Sequence, residues 1–212
     1  MATTANARAT SRGELIRLDI TDGSIDQRVP VDGVAVVGMV NDTLWVQSGL
    51  LPEQLVDTTD QDDEVIAALD VTTGEYRWVT AVDRNPVRMV VIGDLVWLAL
   101  QQPTRRQHVL ALDITTGEVV IDALLPEGAS MLDDRNGMMV AAEDGTLWLL
   151  VGTDNTVFRI DTATGEAVEL FRFSVRPTTF AVTDDAVLAL SPYDDAVARV
   201  ARSDFEPVPA DE

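Results

Sequence analysis

The sequence predicts an all-β chain, a β-propeller of about 4.5 to 5 four-stranded blades. Three observations carry that expectation. A seven-residue hairpin signature recurs four times at blade-sized spacing. Between its copies runs a second repeated element of strand, tight turn and strand. Apolar runs are short, are cut by Asn, Asp and Gly, and nowhere follow a helical period.

The signature reads Leu18-Asp19-Ile20-Thr21-Asp22-Gly23-Ser24, then Leu69-Asp70-Val71-Thr72-Thr73-Gly74-Glu75. It returns as Leu112-Asp113-Ile114-Thr115-Thr116-Gly117-Glu118 and as Ile160-Asp161-Thr162-Ala163-Thr164-Gly165-Glu166. The glycines at 23, 74, 117 and 165 are spaced 51, 43 and 48 residues apart, the length of one blade. The chemistry is that of a turn. A carboxylate such as that of Asp113 accepts backbone N–H bonds two or three residues on, and Gly117 takes the φ > 0 position that closes the hairpin. Asp19, Asp70, Asp113 and Asp161 share this context, so they are read as structural rather than catalytic carboxylates.

The second element reads Asn41-Asp42-Thr43-Leu44-Trp45-Val46, then Gly93-Asp94-Leu95-Val96-Trp97-Leu98, then Asp144-Gly145-Thr146-Leu147-Trp148-Leu149. Its last copy is Asp184-Asp185-Ala186-Val187-Leu188-Ala189. Hairpins are therefore expected at 14–30, 33–48, 64–80, 87–100, 108–123, 136–151, 156–173 and 178–190, with a decayed copy at 195–208. That makes a leading half blade and four full ones, over 13–208, between tails at 1–12 and 209–212. In the decayed copy Ala201 stands where Asp is expected and Phe205 where Gly is expected, so that turn must differ. The unmatched half blade leaves two architectures open. Either the chain is part of a 7- or 8-bladed ring, or it forms a small ring of its own or pairs as a homodimer that shields its edges.

Composition narrows the partners. The 212 residues carry a formal charge of −21, with no lysine, which disfavours nucleic acid as a partner. An acidic, lysine-free, Asp- and Ala-rich chain also fits a GC-rich genome or a high-salt habitat. No apolar run is long enough to cross a membrane as a helix. Cysteine is absent, and with it disulfides and thiolate sites. The first twelve residues contain no apolar leader, so a cytoplasmic location is expected as written, or an extracytoplasmic one if the natural start lies upstream.

Ala68-Leu69-Asp70-Val71-Thr72-Thr73-Gly74-Glu75-Tyr76-Arg77-Trp78 resembles the A-x-D-x-x-T-G-x-x-x-W signature of PQQ-like propeller repeats, found in bacterial quinoprotein alcohol dehydrogenase-like proteins. Residues 111–121 match except that Ile121 replaces the tryptophan. The stretch from Asp144 to Trp148 and on to Glu166 resembles a blade of the virginiamycin B lyase (YVTN) type. The resemblance covers roughly residues 13–200 and implies that Trp78 docks on the neighbouring blade. It is specific for architecture, because such blades serve dehydrogenases, lyases, scaffolds and sensors alike.

The remaining candidates are few. His108, the single histidine, starts an outer strand and is read as a strand-end residue rather than the counterpart of a lyase histidine. Asp57, Asp60, Asp62 and Asp63 form an acidic loop that could hold calcium, but it lacks the glycine and distant glutamate of an EF-hand. It is read as a solvated loop, and as the longest insertion it is the leading partner-contact loop. Trp45, Trp97 and Trp148 recur at one position and are read as inter-blade packing rather than a ligand ring. Arg84, Arg88, Arg105, Arg106, Arg135 and Arg176 fall in or near connections, where some could converge on an anion. No catalytic residue and no cofactor is expected. The expected function is a non-catalytic binding or scaffold module whose inter-hairpin loops contact a protein or small ligand. The alternative is a lyase- or quinoprotein-type enzyme whose active site is incomplete in this chain.

Overall fold

A computed structural model describes residues 12–18, 21–32, 34–40, 43–48, 64–82, 86–100, 108–126, 138–151 and 155–205. All regular structure among them is β apart from one 3-10 turn. The strands are β1 (Arg12–Leu18), β2 (Ile25–Asp32), β3 (Val34–Val40), β4 (Thr43–Ser48), β5 (Glu64–Asp70), β6 (Tyr76–Val82), β7 (Pro86–Ile92) and β8 (Leu95–Leu100). They continue as β9 (His108–Asp113), β10 (Val119–Leu124), β11 (Met138–Ala141), β12 (Leu147–Val151), β13 (Thr156–Ile160), β14 (Ala167–Arg172), β15 (Thr179–Val182), β16 (Ala186–Ser191) and β17 (Ala196–Ala201). Within each sheet, strands next to each other in sequence are neighbours. They make a two-stranded sheet β1–β2, four-stranded sheets β3–β6, β7–β10 and β11–β14, and a three-stranded sheet β15–β17.

The chain divides into two compact units, Met1–Pro86 with Leu112–Glu118, and Val87–Ala111 with Val119–Glu212. In the first, the β3–β6 sheet centres on β5, where Ile66, Ala67, Ala68 and Leu69 are buried. The alanines at 67 and 68 let both faces of this strand be closely covered.

In the second unit two apolar layers alternate with the sheets. Trp97, Ala99, Val109 and Ala111 of one sheet pack with Leu147 and Leu149 of β12. From the opposite face of β11–β14, Trp148, Leu150 and Val157 pack with Phe180, Val187 and Ala189 of β15–β17. Period-two alternation of β12, Leu147/Leu149 against Trp148/Leu150, sends its residues to different layers. Because β12 is buried on both faces, its sequence is wholly apolar.

The turns β5–β6, β9–β10 and β13–β14 repeat almost atom for atom. Gly74, Gly117 and Gly165 donate to the carbonyls of Asp70, Asp113 and Asp161 at 2.8, 2.9 and 2.8 Å. Their φ values of 77°, 76° and 77° lie in the left-handed region where a side chain costs energy.

The last expected outer pair, 195–208, departs from the repeat. Among the described residues it yields β17 and then the 3-10 turn Arg202–Asp204 in place of the Asp-to-Gly turn; residues 206–208, where the second strand is expected, lie outside the described residues. The cause is the lost turn chemistry. Ala201 has no carboxylate to gather N–H groups, and Phe205 stays at φ −121° rather than entering the left-handed region. The chain closes instead through Phe205 N–H to the Arg202 carbonyl at 3.0 Å.

Gly117 and Gly23 share a positive φ but differ in surroundings. A Cβ at Gly117 would overlap the Trp78 ring and meet Thr80 Oγ1 at 2.8 Å, whereas nothing lies within 4 Å at Gly23. Gly117→Ala is expected to cost about 2–4 kcal/mol and Gly23→Ala about 1 kcal/mol, read by urea denaturation. Equal costs would mean that backbone conformation alone decides.

Candidate functional site

The repeated carboxylates bind their own backbone. Asp70 Oδ1 accepts the N–H groups of Thr72 and Thr73 at 2.8 and 3.2 Å. Asp113 Oδ1 accepts those of Thr115 and Thr116, both at 2.8 Å. Asp161 Oδ1 accepts those of Ala163 and Thr164 at 2.8 and 2.9 Å. Bonds to the ionised form hold these carboxyls below the usual range, led by the Arg77 side chain at Asp70, the Thr116 N–H at Asp113 and the Thr164 N–H at Asp161. They are spent on turns. Asp19 lies outside the described residues; in its hairpin Asp22 Oδ1 accepts the Ser24 N–H at 2.8 Å.

The residue eight positions after each of the first three turn aspartates reaches the following turn. Trp78 Nε1 donates to the Ile114 carbonyl at 3.0 Å, with its ring against Gly117. Thr80 Oγ1 adds a 2.6 Å bond to the Gly117 carbonyl. Gln27 Nε2 bonds the Thr72 carbonyl at 2.8 Å. Ile121, which replaces the signature tryptophan, has its Cγ2 only 2.5 Å from where a Gly165 Cβ would stand. At the last junction Phe205 fills the glycine position, and Phe171 stacks on it with centroids 4.4 Å apart.

Two of the recurrent tryptophans, Trp97 and Trp148, are not brought together at a common site. Trp97 and Trp148 are fully buried in separate apolar layers. Trp45 pairs with Ala68 across β4–β5, as Trp148 pairs with Arg159 across β12–β13, each two residues before its turn aspartate; the Trp45 side chain lies outside the described residues. Trp148 Nε1 donates to Thr146 Oγ1 at 2.8 Å, but Leu95 stands at that position relative to Trp97, whose Nε1 is buried without a partner.

Sequence reasoning missed a buried arginine. Arg202, only 5% exposed, sends Nη2 to Asp144 Oδ2 and Nη1 to the Thr183 carbonyl at 3.3 Å, and lies over the Trp148 ring at 5.5 Å. It thus binds the final turn to the β11–β12 turn of the preceding sheet. The one available signal was the decay at 201 and 205, which showed that the usual turn was lost but not what replaced it. Burial pushes the Asp144 carboxyl up, but bonds from Thr146 and Arg202 outweigh it and hold it at about 2, from an ordinary 3.8.

A second missed cluster shapes the connection after β16. Ser191 Oγ donates to Asp194 Oδ2 at 2.6 Å, and the Arg176 N–H reaches the same oxygen at 2.8 Å. These bonds fix a loop that leaves Tyr193 74% exposed, with the Arg176 guanidinium 5.9 Å from its ring centroid. Arg88 lies half-buried on β7, while Arg84, Arg105, Arg106 and Arg135 lie outside the described residues. So do Asp57, Asp60, Asp62 and Asp63, and no group of three metal-ligating side chains occurs among the described residues. His108 Nδ1 lies 2.9 Å from Asp122 Oδ1, a cross-strand pair at the start of β9.

Two outcomes are expected. Trp148→Phe should destabilise by at least about 1 kcal/mol more than Trp97→Phe in chemical denaturation, because only Trp148 loses a made hydrogen bond and an arginine contact. Asp144 has a depressed folded pKa, so its contribution is complete above pH 3.8 and is lost as pH falls toward 2. Asp144→Asn should therefore flatten the stability–pH curve between those values; an unchanged slope would refute the assignment.

No curated protein sequence matches the chain. Among solved structures, BamB from Moraxella catarrhalis superposes with TM-score 0.52 at 20% identity, covering 92% of this chain and 56% of that one. The Dos1 propeller superposes with TM-score 0.56 at 13% identity, covering 85% and 45%. The chain thus spans about half the length of these two proteins. A family profile described as outer membrane protein assembly factor BamB matches residues 3–123. This corrects the expected cytoplasmic location, since the matching family is described by assembly of the outer membrane. The cytoplasmic reading rested on the composition of the first residues, which does not report where a protein works. Sheet architecture, turn signature and profile agree, and the chain belongs to the PQQ-like, BamB-type β-propeller family.

Proposed function

We propose that the chain is a non-catalytic scaffold of the cell envelope that holds connecting loops for contact with a protein partner. The observation that carries this reading is the match of residues 3–123 to an assembly-factor family. The use of the turn carboxylates supports it: Asp70, Asp113 and Asp161 are committed to backbone N–H groups. A carboxylate held ionised in that way is poorly suited to proton transfer near neutral pH. On this reading Asp19, Asp70, Asp113 and Asp161, the turn glycines and Trp78 are structural, and neither metal nor cofactor is required.

The same proposal takes the sheets as consecutive blades over 13–208, flanked by tails. Coverage of only 56% of the Moraxella catarrhalis protein favours a ring with more blades than these sheets supply. The best described contact loop follows β16. Its Ser191–Asp194 bond is made in advance of binding, and Tyr193 and Arg176 are of the residue types that dominate protein interfaces.

A photo-cross-linking residue at Tyr193, expressed in envelope-containing cells, should trap an outer-membrane assembly protein, and one at Asp184 should trap far less. Equal trapping at the two positions, or none, would overturn the loop assignment.

A further inference from the structure

The edge strand β10 offers an apolar row to a pairing strand. β10 ends its sheet, in the order β10-β9-β8-β7, and exposes Val119 by 46%, Val120 by 57% and Leu124 by 43%. Exposed strand edges are normally blunted by proline, inserted charge or bulges. β2 carries Asp26, Arg28 and Pro30 with a register shift. β6 carries Arg77 and a register shift, and β14 has a register shift and an ion pair of Arg172 with Glu169 at 3.1 Å. β10 reads Val-Val-Ile-Asp-Ala-Leu, and its one charge, Asp122, is engaged by His108.

The backbone is set for pairing. Asp113 N–H donates to the Glu118 carbonyl at 2.9 Å, so Glu118 faces β9 and the next residue, Val119, turns its own N–H and carbonyl to the open side. Charge selects the occupant. Exposed Glu118 and Asp122 flank the apolar positions, and a chain of net charge −21 opposes addition of a second copy of itself. We propose that β10 is a strand-addition site for an extended segment of a partner protein that alternates apolar residues with arginine or lysine. This goes beyond the loop reading and uses a different surface.

The test adds a fluorescent synthetic decapeptide of alternating valine and arginine to the full chain, following anisotropy and amide hydrogen exchange. Binding with slowed exchange over Val119–Leu124 is expected. Val119→Pro, which deletes a donor facing the open edge, and Val120→Lys should each weaken it about tenfold or more. Thermal melts report whether the variants remain folded, and a glutamate-for-arginine peptide should not bind. Absence of binding, unchanged affinity in both folded variants, or protection of another strand overturns the proposal. So does a dimer of the parent chain that Val120→Lys dissociates. Cross-linking at Tyr193 in the same variants reads the loop surface separately, so either reading can fail alone.

Discussion

A turn glycine held at positive φ lets the backbone of one hairpin meet a side chain of the preceding sheet at van der Waals distance. Gly117 receives Trp78 and Gly165 receives Ile121, and in both places a Cβ would occupy the same space as the partner. The turn aspartate makes that approach possible by gathering the N–H groups of the next residues, which shapes the loop before packing begins. Local hydrogen bonding and docking between strand and turn are therefore one device. Four-stranded sheets with apolar faces need such a device, since each must be covered by its neighbour in a defined register.

The final sheet shows how the constraint is met once its usual residues are gone. With Asp and Gly replaced by Ala201 and Phe205, the contact becomes a stack of Phe171 on Phe205. Arg202 then supplies polar bonds to Asp144 and the Thr183 carbonyl in place of the turn carboxylate. Burying a guanidinium is costly unless it is paired, and here a carboxylate, a carbonyl and an indole face surround it. The price is specificity of another kind, because the anchor now depends on a single arginine.

Charge and binding follow from the same arrangement. Acidic residues outnumber basic ones by 36 to 15, so the chain stays negative even though Asp70, Asp144 and Asp185 pair with arginine. A surface of that sign resists self-association. Apolar positions such as Val120 can then remain exposed on an edge strand, where charge filters which strands approach.

The repeats made most of the fold legible before any coordinates. Hairpin positions, turn glycines and the family resemblance follow from local chemistry, because a left-handed turn residue and its N–H-gathering aspartate act within a few residues of each other. Partners separated by a whole sheet left no local mark. That Arg202 would cross to Asp144, 58 positions away, that Ser191 and Asp194 would lock the loop beneath Tyr193, and that Trp97 would bury an unpaired N–H could not be read from spacing. By itself the sequence determined strands, turns and the order in which sheets form, all short-range consequences of φ preference and alternation. The tertiary structure alone decided which side chains meet between sheets and which edge stays open, because those depend on how separately formed surfaces stack.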